Sequence, residues 1–206
     1  MPAGEHFFGA AGRLGGWAVG QVGGGAERQR GSGWPAPLPD CPSARLMQTR
    51  LLAVGKLRPA YRTLCDEYLR RLSRYGPIVE REVREASRSA TPAERRREEA
   101  KRLADALPER GRLVVLDRTG TAWSSDELAR RLARWREEGM DTSLVIGGDW
   151  GLDPGLVAEA QFRWSLGPLT LPHELARVVT LEQWYRAWTI IRGEPYHRGA
   201  QAGRLV

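Results

Sequence analysis

Three short stretches hold the residues best suited to chemistry. "LDRTG" (116–120), "VIGGD" (145–149) and "WSLGPLTLPH" (164–173) each lie at or just beyond an apolar run and turn on glycine or proline. In parallel α/β sheets, ligands bind beyond the carboxyl ends of strands. Glycines at such ends let a ligand approach the main chain closely. The stretches point to a ligand held by backbone N–H and C=O groups rather than by charged side chains. A fourth feature is the run Tyr196, His197, Arg198 near the C-terminus. Such a trio can stack on a base, titrate near neutrality and hold a phosphate. Each signal is weak alone. A Gly-Gly pair after a strand is more often a tight turn, and a histidine at a helix start is more often a cap.

Other chemistries lack their signatures. Neither G-x-x-x-x-G-K-[ST] nor G-x-G-x-x-G occurs. No His/Cys/Asp cluster has metal-ligand spacing, and no G-x-S-x-G elbow is present. The two cysteines, Cys41 and Cys65, make no disulfide framework, which suits a reduced cytosol and a cytoplasmic location. No apolar run approaches the length of a membrane span. A formal charge of +7, from 32 Lys+Arg and 25 Asp+Glu in 206 residues, is compatible with a polyanionic partner such as nucleic acid.

These stretches need a scaffold, and strands alternating with helices supply one. "RLLAV" (50–54) reads as a strand. Pro59 opens a helix with apolar positions at Tyr61, Leu64, Cys65, Tyr68, Leu69 and Leu72. "IVEREV" (78–83) alternates like an edge strand. Thr91, Pro92 and Glu94 form a helix start with a capping box, and the charges that follow read as a solvated face. "RLVVLD" (112–117) is predicted to be a buried strand closed by Asp117 and Gly120. Ser124 or Ser125 caps the next helix, which Gly139 ends. "TSLVIGG" (142–148) is a second buried strand, and Asp153-Pro154 starts a short helix. Residues 164–172 are too broken for one helix or a plain strand. The last helix runs from about His173 to Ile191. Its apolar residues nearly encircle it, so it should be buried on more than one side, by its own domain or by a second copy in a symmetric dimer. The pattern gives an α/β fold with a mostly parallel sheet and helices on both faces.

Residues 1–46 contain 11 of the 24 glycines and 5 of the 13 prolines. They show neither helical nor strand periodicity and read as a disordered extension. The ordered domain is placed at 47–206. Met47 stands three residues before the first strand, so it is read as the working start, with the preceding residues coming from an upstream start codon.

The strings "LLAVGK", "EYLRRL", "LVVLDRTG", "LVIGGDWGL", "WSLGPLTLPHELARVV", "EQWYRAW" and "PYHR" occur in one order and at a spacing that resembles the bacterial RlmH family. These are pseudouridine N3-methyltransferases of large-subunit (23S) ribosomal RNA, of the SPOUT class. The resemblance covers about residues 47–198. It implies a C-terminal trefoil knot, S-adenosyl-L-methionine as cofactor, a homodimer, and ribosomal RNA in the assembled ribosome as partner. It implies no metal and no membrane. By motif, the cofactor pocket would be made by Leu116, Gly147, Gly148, Leu166, Gly167, Pro168, Leu169, Thr170 and Leu171. A sharply turning stretch at 164–172 would suit a knot that tucks the last helix back through a loop. The chain departs from the family in the "GAQAGRLV" that follows Arg198.

Methyl transfer to N3 of pseudouridine needs positioning and loss of the N3 proton. His173 and His197 are candidates for the base by residue type. Arg186 can stabilise a carbonyl oxygen next to N3, with Glu182 one turn earlier to orient it. Tyr196 and Arg198 complete the candidate set. The competing readings are a non-enzymatic ribosome-binding factor, another α/β nucleotide enzyme, and a SPOUT enzyme with a different RNA target.

Overall fold

The computed structural model describes residues 47–197. Five strands form one parallel sheet in the order β2-β1-β4-β3-β5. They are β1 (Thr49–Val54), β2 (Ile78–Val83), β3 (Arg112–Ala122), β4 (Thr142–Ile146) and β5 (Phe162–Ser165). Between them run α1 (Pro59–Leu72), α2 (Pro92–Ala106), α3 (Ser125–Glu137) and α4 (Pro154–Glu159). α5 (His173–Ile191) and a final 3-10 turn (Pro195–His197) follow β5.

Strand alternation divides the core. Leu51 and Ala53 of β1 face α1, α3 and α5, where Leu132, Leu181 and Trp184 are fully buried. Leu52 and Val54 face the opposite layer, against Leu103 of α2 and Leu156 of α4. Both sides of the sheet are covered, so β1 and β4 can be almost wholly apolar. β2 lies at an edge with Val79 exposed, in keeping with its alternating sequence.

Local chemistry sets the helix ends as the sequence indicates. Thr91 Oγ accepts from the N–H of Glu94, and the Glu94 carboxylate accepts from the N–H of Thr91. Ser124, rather than Ser125, makes the same reciprocal pair with Glu127. Both are capping boxes, which satisfy two otherwise orphaned donors each.

Four expectations are corrected. β3 does not stop at Asp117 but continues to Ala122, with residues 117–120 bulged out against β5. The Asp117 carboxylate supports the bulge, accepting from the Thr119 N–H at 3.0 Å and from Arg163 at 2.7 Å. "QFRWS" yields a short edge strand, β5, before the break at Gly167, because only the residues from Leu166 onward are interrupted. β4 ends at Ile146, so Gly147 and Gly148 belong to the turn. α2 is not wholly solvated on its charged side. Glu99 is buried, and its carboxylate accepts from the N–H of Ala86 at 3.1 Å. The expected disordered extension 1–46 lies outside the described residues.

Candidate functional site

The carboxyl ends of β3, β4 and β5 open into one cleft of about 880 Å³. Leu116, Gly147, Gly148, Leu166, Gly167, Leu169, Thr170, Leu171 and His173 all line it. The three stretches singled out from sequence are thus brought together. Pro168, between Gly167 and Leu169, is exposed and does not line the cleft. It sits at the apex of a turn whose start is pinned by Ser165. That hydroxyl donates to the Gly167 carbonyl at 3.0 Å and accepts from the Gly167 N–H at 3.2 Å.

The glycines have specific reasons. A Cβ on Gly147 would stand 2.6 Å from the Gly151 carbonyl carbon, because the chain folds back on itself there. The return is closed by the Gly151 N–H donating to the Gly148 carbonyl at 3.0 Å. A Cβ on Gly148 would stand 3.1 Å from both the Glu99 carboxylate and Val54. The pair is therefore demanded by the loop's own packing, independently of any ligand. Gly167 differs. Its φ of +116° lies in the region that side chains avoid, while the space around it is open.

His173 begins α5 at the cleft wall. Its Nδ1 lies 3.3 Å from the Asp149 carboxylate. That contact leaves Nε2 as the ring nitrogen that does not face Asp149. The next residue, Glu174, accepts from the N–H and the Nε of Arg58 at 2.7 and 2.8 Å. The Arg58 main-chain N–H first, and its guanidinium with it, hold this carboxyl below the ordinary glutamate range despite desolvation. One turn on, Arg177 has no exposed surface. It donates to the carbonyl oxygens of Val54 and Gly55 at 2.6 Å each and pairs with Glu80 and Glu82. The start of α5 is thereby bolted to the ends of β1 and β2.

The remaining candidates lie elsewhere. Arg186 donates to Glu182 Oε1 at 2.7 Å and stands over the Tyr196 ring at 5.0 Å. The Tyr196 hydroxyl donates to the same carboxylate oxygen at 3.2 Å. Desolvation, then hydrogen bonding and the Glu182 charge, push the Tyr196 phenol above its ordinary value. At neutral pH it is a donor and not a base. Thirteen residues of α5 separate Arg186 from His173, about 20 Å at the helical rise. Within one chain these groups do not meet. His197 belongs to the final 3-10 turn, and Arg198 lies outside the described residues.

Three contributors were not singled out from sequence. Asp149 directly follows the glycine pair and could have been linked to His173. Glu99 sits inside a charged, surface-type segment and Arg177 is a cation in an apolar helix, and only the fold shows their charged groups buried. Among the described residues no group of three or more His, Cys, Asp or Glu is placed to hold a metal. No described helix is long and apolar enough to cross a membrane.

α5 packs between α1 and α3, so most of its apolar surface is covered within the chain. Leu175, Val179, Glu182 and Arg186 remain only half-buried and form a stripe at helical spacing.

Comparison with known proteins places the molecule. Ribosomal RNA large subunit methyltransferase H of Polynucleobacter asymbioticus is 42% identical over 153 residues, which cover 74% of this chain and 99% of that protein. The protein of the same name from an Anaeromyxobacter species is 44% identical over 153 residues, 74% of this chain and 100% of that one. Among solved structures, the SpoU methyltransferase AviRb from Streptomyces viridochromogenes, in complex with the cofactor AdoMet, aligns over 82% of this chain and 64% of that one, at 15% identity and a TM-score of 0.38. The family model described as "Predicted SPOUT methyltransferase" matches residues 47–197. On that match, the chain belongs to the SPOUT methyltransferase family.

Proposed function

We propose that this protein is a cytoplasmic, homodimeric enzyme that transfers a methyl group from S-adenosyl-L-methionine to N3 of a pseudouridine in large-subunit ribosomal RNA, acting on assembled ribosomes. The observation that carries the reading is the convergence of three backbone-rich turns on one cleft in a SPOUT family chain. Relatives above 40% identity, matched along essentially their whole length, bear the name of a large-subunit ribosomal RNA methyltransferase.

The cleft suits the cofactor. Its volume falls within the roughly 300–1,000 Å³ usual for small-molecule sites. Leu116, Leu166 and Leu171 give apolar walls for the faces of an adenine. The turns at Gly147 and Gly167 offer main-chain groups for its edge. The bound cofactor supplies an electrophilic methyl group on a sulfonium. The chain itself must orient the acceptor, exclude water and remove one proton. His173 is placed for the last task at Nε2, with Asp149 on its other nitrogen.

Arg186 lies about 20 Å along α5 from that cleft, with the Tyr196 ring of the final 3-10 turn against it. In this reading they serve the cleft of a second copy, whose two-fold packing covers the stripe from Leu175 to Arg186. Arg186 then faces a carbonyl of the target base. A C-terminal trefoil knot belongs to the same reading.

Two measurements test it. Calorimetric titration with S-adenosyl-L-methionine should give saturable binding. Mass spectrometry of ribosomal RNA from a strain lacking the gene should show loss of one methyl-pseudouridine. Absence of binding would favour a non-enzymatic factor, and an unchanged RNA would refute the assigned target.

A further inference from the structure

The loop from β2 to α2 stands at the same carboxyl end of the sheet as the cleft, since all five strands run parallel. Its main chain is tied down from beneath. Arg102 donates to the carbonyl oxygens of Arg84 and Glu85 at 2.8 Å each. Glu99 accepts from the Ala86 N–H at 3.1 Å. The side chains of Arg84 and Arg88 are left exposed on top. Lys56, in the turn after β1, is exposed on the neighbouring strand end, where the Gly55 N–H donates to the Val83 carbonyl at 2.8 Å.

Charge pairing sets these residues apart from their surroundings. Arg58, Arg62 and Arg102 close by are neutralised by Glu174, Glu80 and Glu98. Lys56, Arg84 and Arg88 have no carboxylate within ion-pair distance among the described residues. The one acid inside the loop, Glu85, is half-buried and turns inward. A Cβ on Gly55 would stand 2.6 Å from its carboxylate and 3.2 Å from His173 Nε2. His173 therefore joins this basic surface to the cleft.

We infer that Lys56, Arg84 and Arg88 form a phosphate-binding surface over which the RNA backbone runs as its target base enters the cleft past His173. Unpaired guanidinium groups take phosphate oxygens in pairs, and each such contact releases a counterion. The tied-down loop means that little main-chain order is lost on binding. The inference rests on the ribosomal RNA methyltransferase reading.

The test compares wild type with Lys56→Glu/Arg84→Glu/Arg88→Glu and with Arg84→Lys/Arg88→Lys. Binding of each to purified ribosomes is followed by sedimentation over a range of salt, beside calorimetry with S-adenosyl-L-methionine. The glutamate variant should bind cofactor as wild type does, yet bind ribosomes at least about tenfold more weakly, with a salt slope shallower by roughly 2–3. The lysine variant should bind ribosomes within a few-fold of wild type. Equal ribosome affinity and salt slope for glutamate variant and wild type would overturn the inference, as would a wild type that does not bind ribosomes. Loss of cofactor binding by wild type would instead overturn the enzymatic reading.

Discussion

Arg177 on α5 donates to the carbonyl oxygen of Gly55 at 2.6 Å, across 122 residues of sequence and with no solvent exposure. The contact ties the helix that begins at the cleft to the end of β1. The same guanidinium balances Glu80, which is itself nearly fully buried. Removing the arginine leaves two carbonyl oxygens without this donor, and Glu80 with Arg62 as its remaining partner. We expect Arg177→Ala to lose about 1–3 kcal/mol of stability, as for buried polar groups left unsatisfied. Denaturant unfolding measures it. A loss no larger than that of a surface arginine would show that the network is solvated.

The Gly147–Gly151 fold-back predicts a local defect. In Gly147→Ala the new Cβ meets backbone at 2.6 Å, so residues 147–152 must move. The cleft wall moves with them. Cofactor affinity should fall at least about tenfold, or ~1.4 kcal/mol. Calorimetry reads that loss directly. Gly139→Ala is the control, because nothing lies within 4 Å of its Cβ position although its φ is also positive. That variant should keep wild-type affinity.

Glu174 gives a pH dependence with a definite sign. Its carboxyl is held below the ordinary value of 4.5 in the folded protein, by the Arg58 N–H first. The stabilisation is therefore fully present above about pH 4.5 and is lost as pH falls through the lower folded value. The melting temperature of Glu174→Gln should lie below that of wild type at pH 7. The gap should close as the pH is taken below 4.5. A gap that is constant with pH would show that the carboxylate charge is not what stabilises the helix start.

Cys65 should be inert in the native state. Desolvation first, and the Glu80 charge second, push its thiol up to about 12. Thiolate is the reactive form. In a Cys41→Ser background, Ellman's reagent at pH 8 should label the protein only once guanidinium unfolds it. Rapid labelling of the folded chain would place Cys65 at a mobile surface.

Much of this arrangement can be read from residues in order. The capping boxes at Thr91 and Ser124 depend on neighbours three positions apart, so local spacing reveals them. The cleft walls were legible because glycine and proline after apolar runs mark strand ends, whose place in a parallel sheet is fixed by topology. What was hidden depends on distance in sequence. Glu99 looks like any other acid on a charged helix until Ala86 and Gly148 pack over it. The four-residue bulge in β3 is decided by Arg163 reaching back to Asp117, 46 positions away. The separation of His173 from Arg186 follows directly from helix length. Whether the two still serve one site depends on a second copy.

That last dependence yields a test by mixing. His173→Ala and Arg186→Ala should each impair methylation as pure proteins. If a cleft is completed by the partner's Arg186, a mixed dimer contains one site with both defects and one site with neither. Co-expressing the two variants with separable tags, and purifying on both, isolates that mixed dimer. Its activity should recover to about half that of wild type per dimer, one intact site of two. If each chain instead served its own cleft, every site in the mixed dimer would carry one defect, and no activity would return. The Leu175–Arg186 stripe gives a companion variant. Val179→Glu puts a charge at its centre without touching the cleft, so it should shift the protein toward monomer in sedimentation while leaving cofactor binding to the cleft measurable.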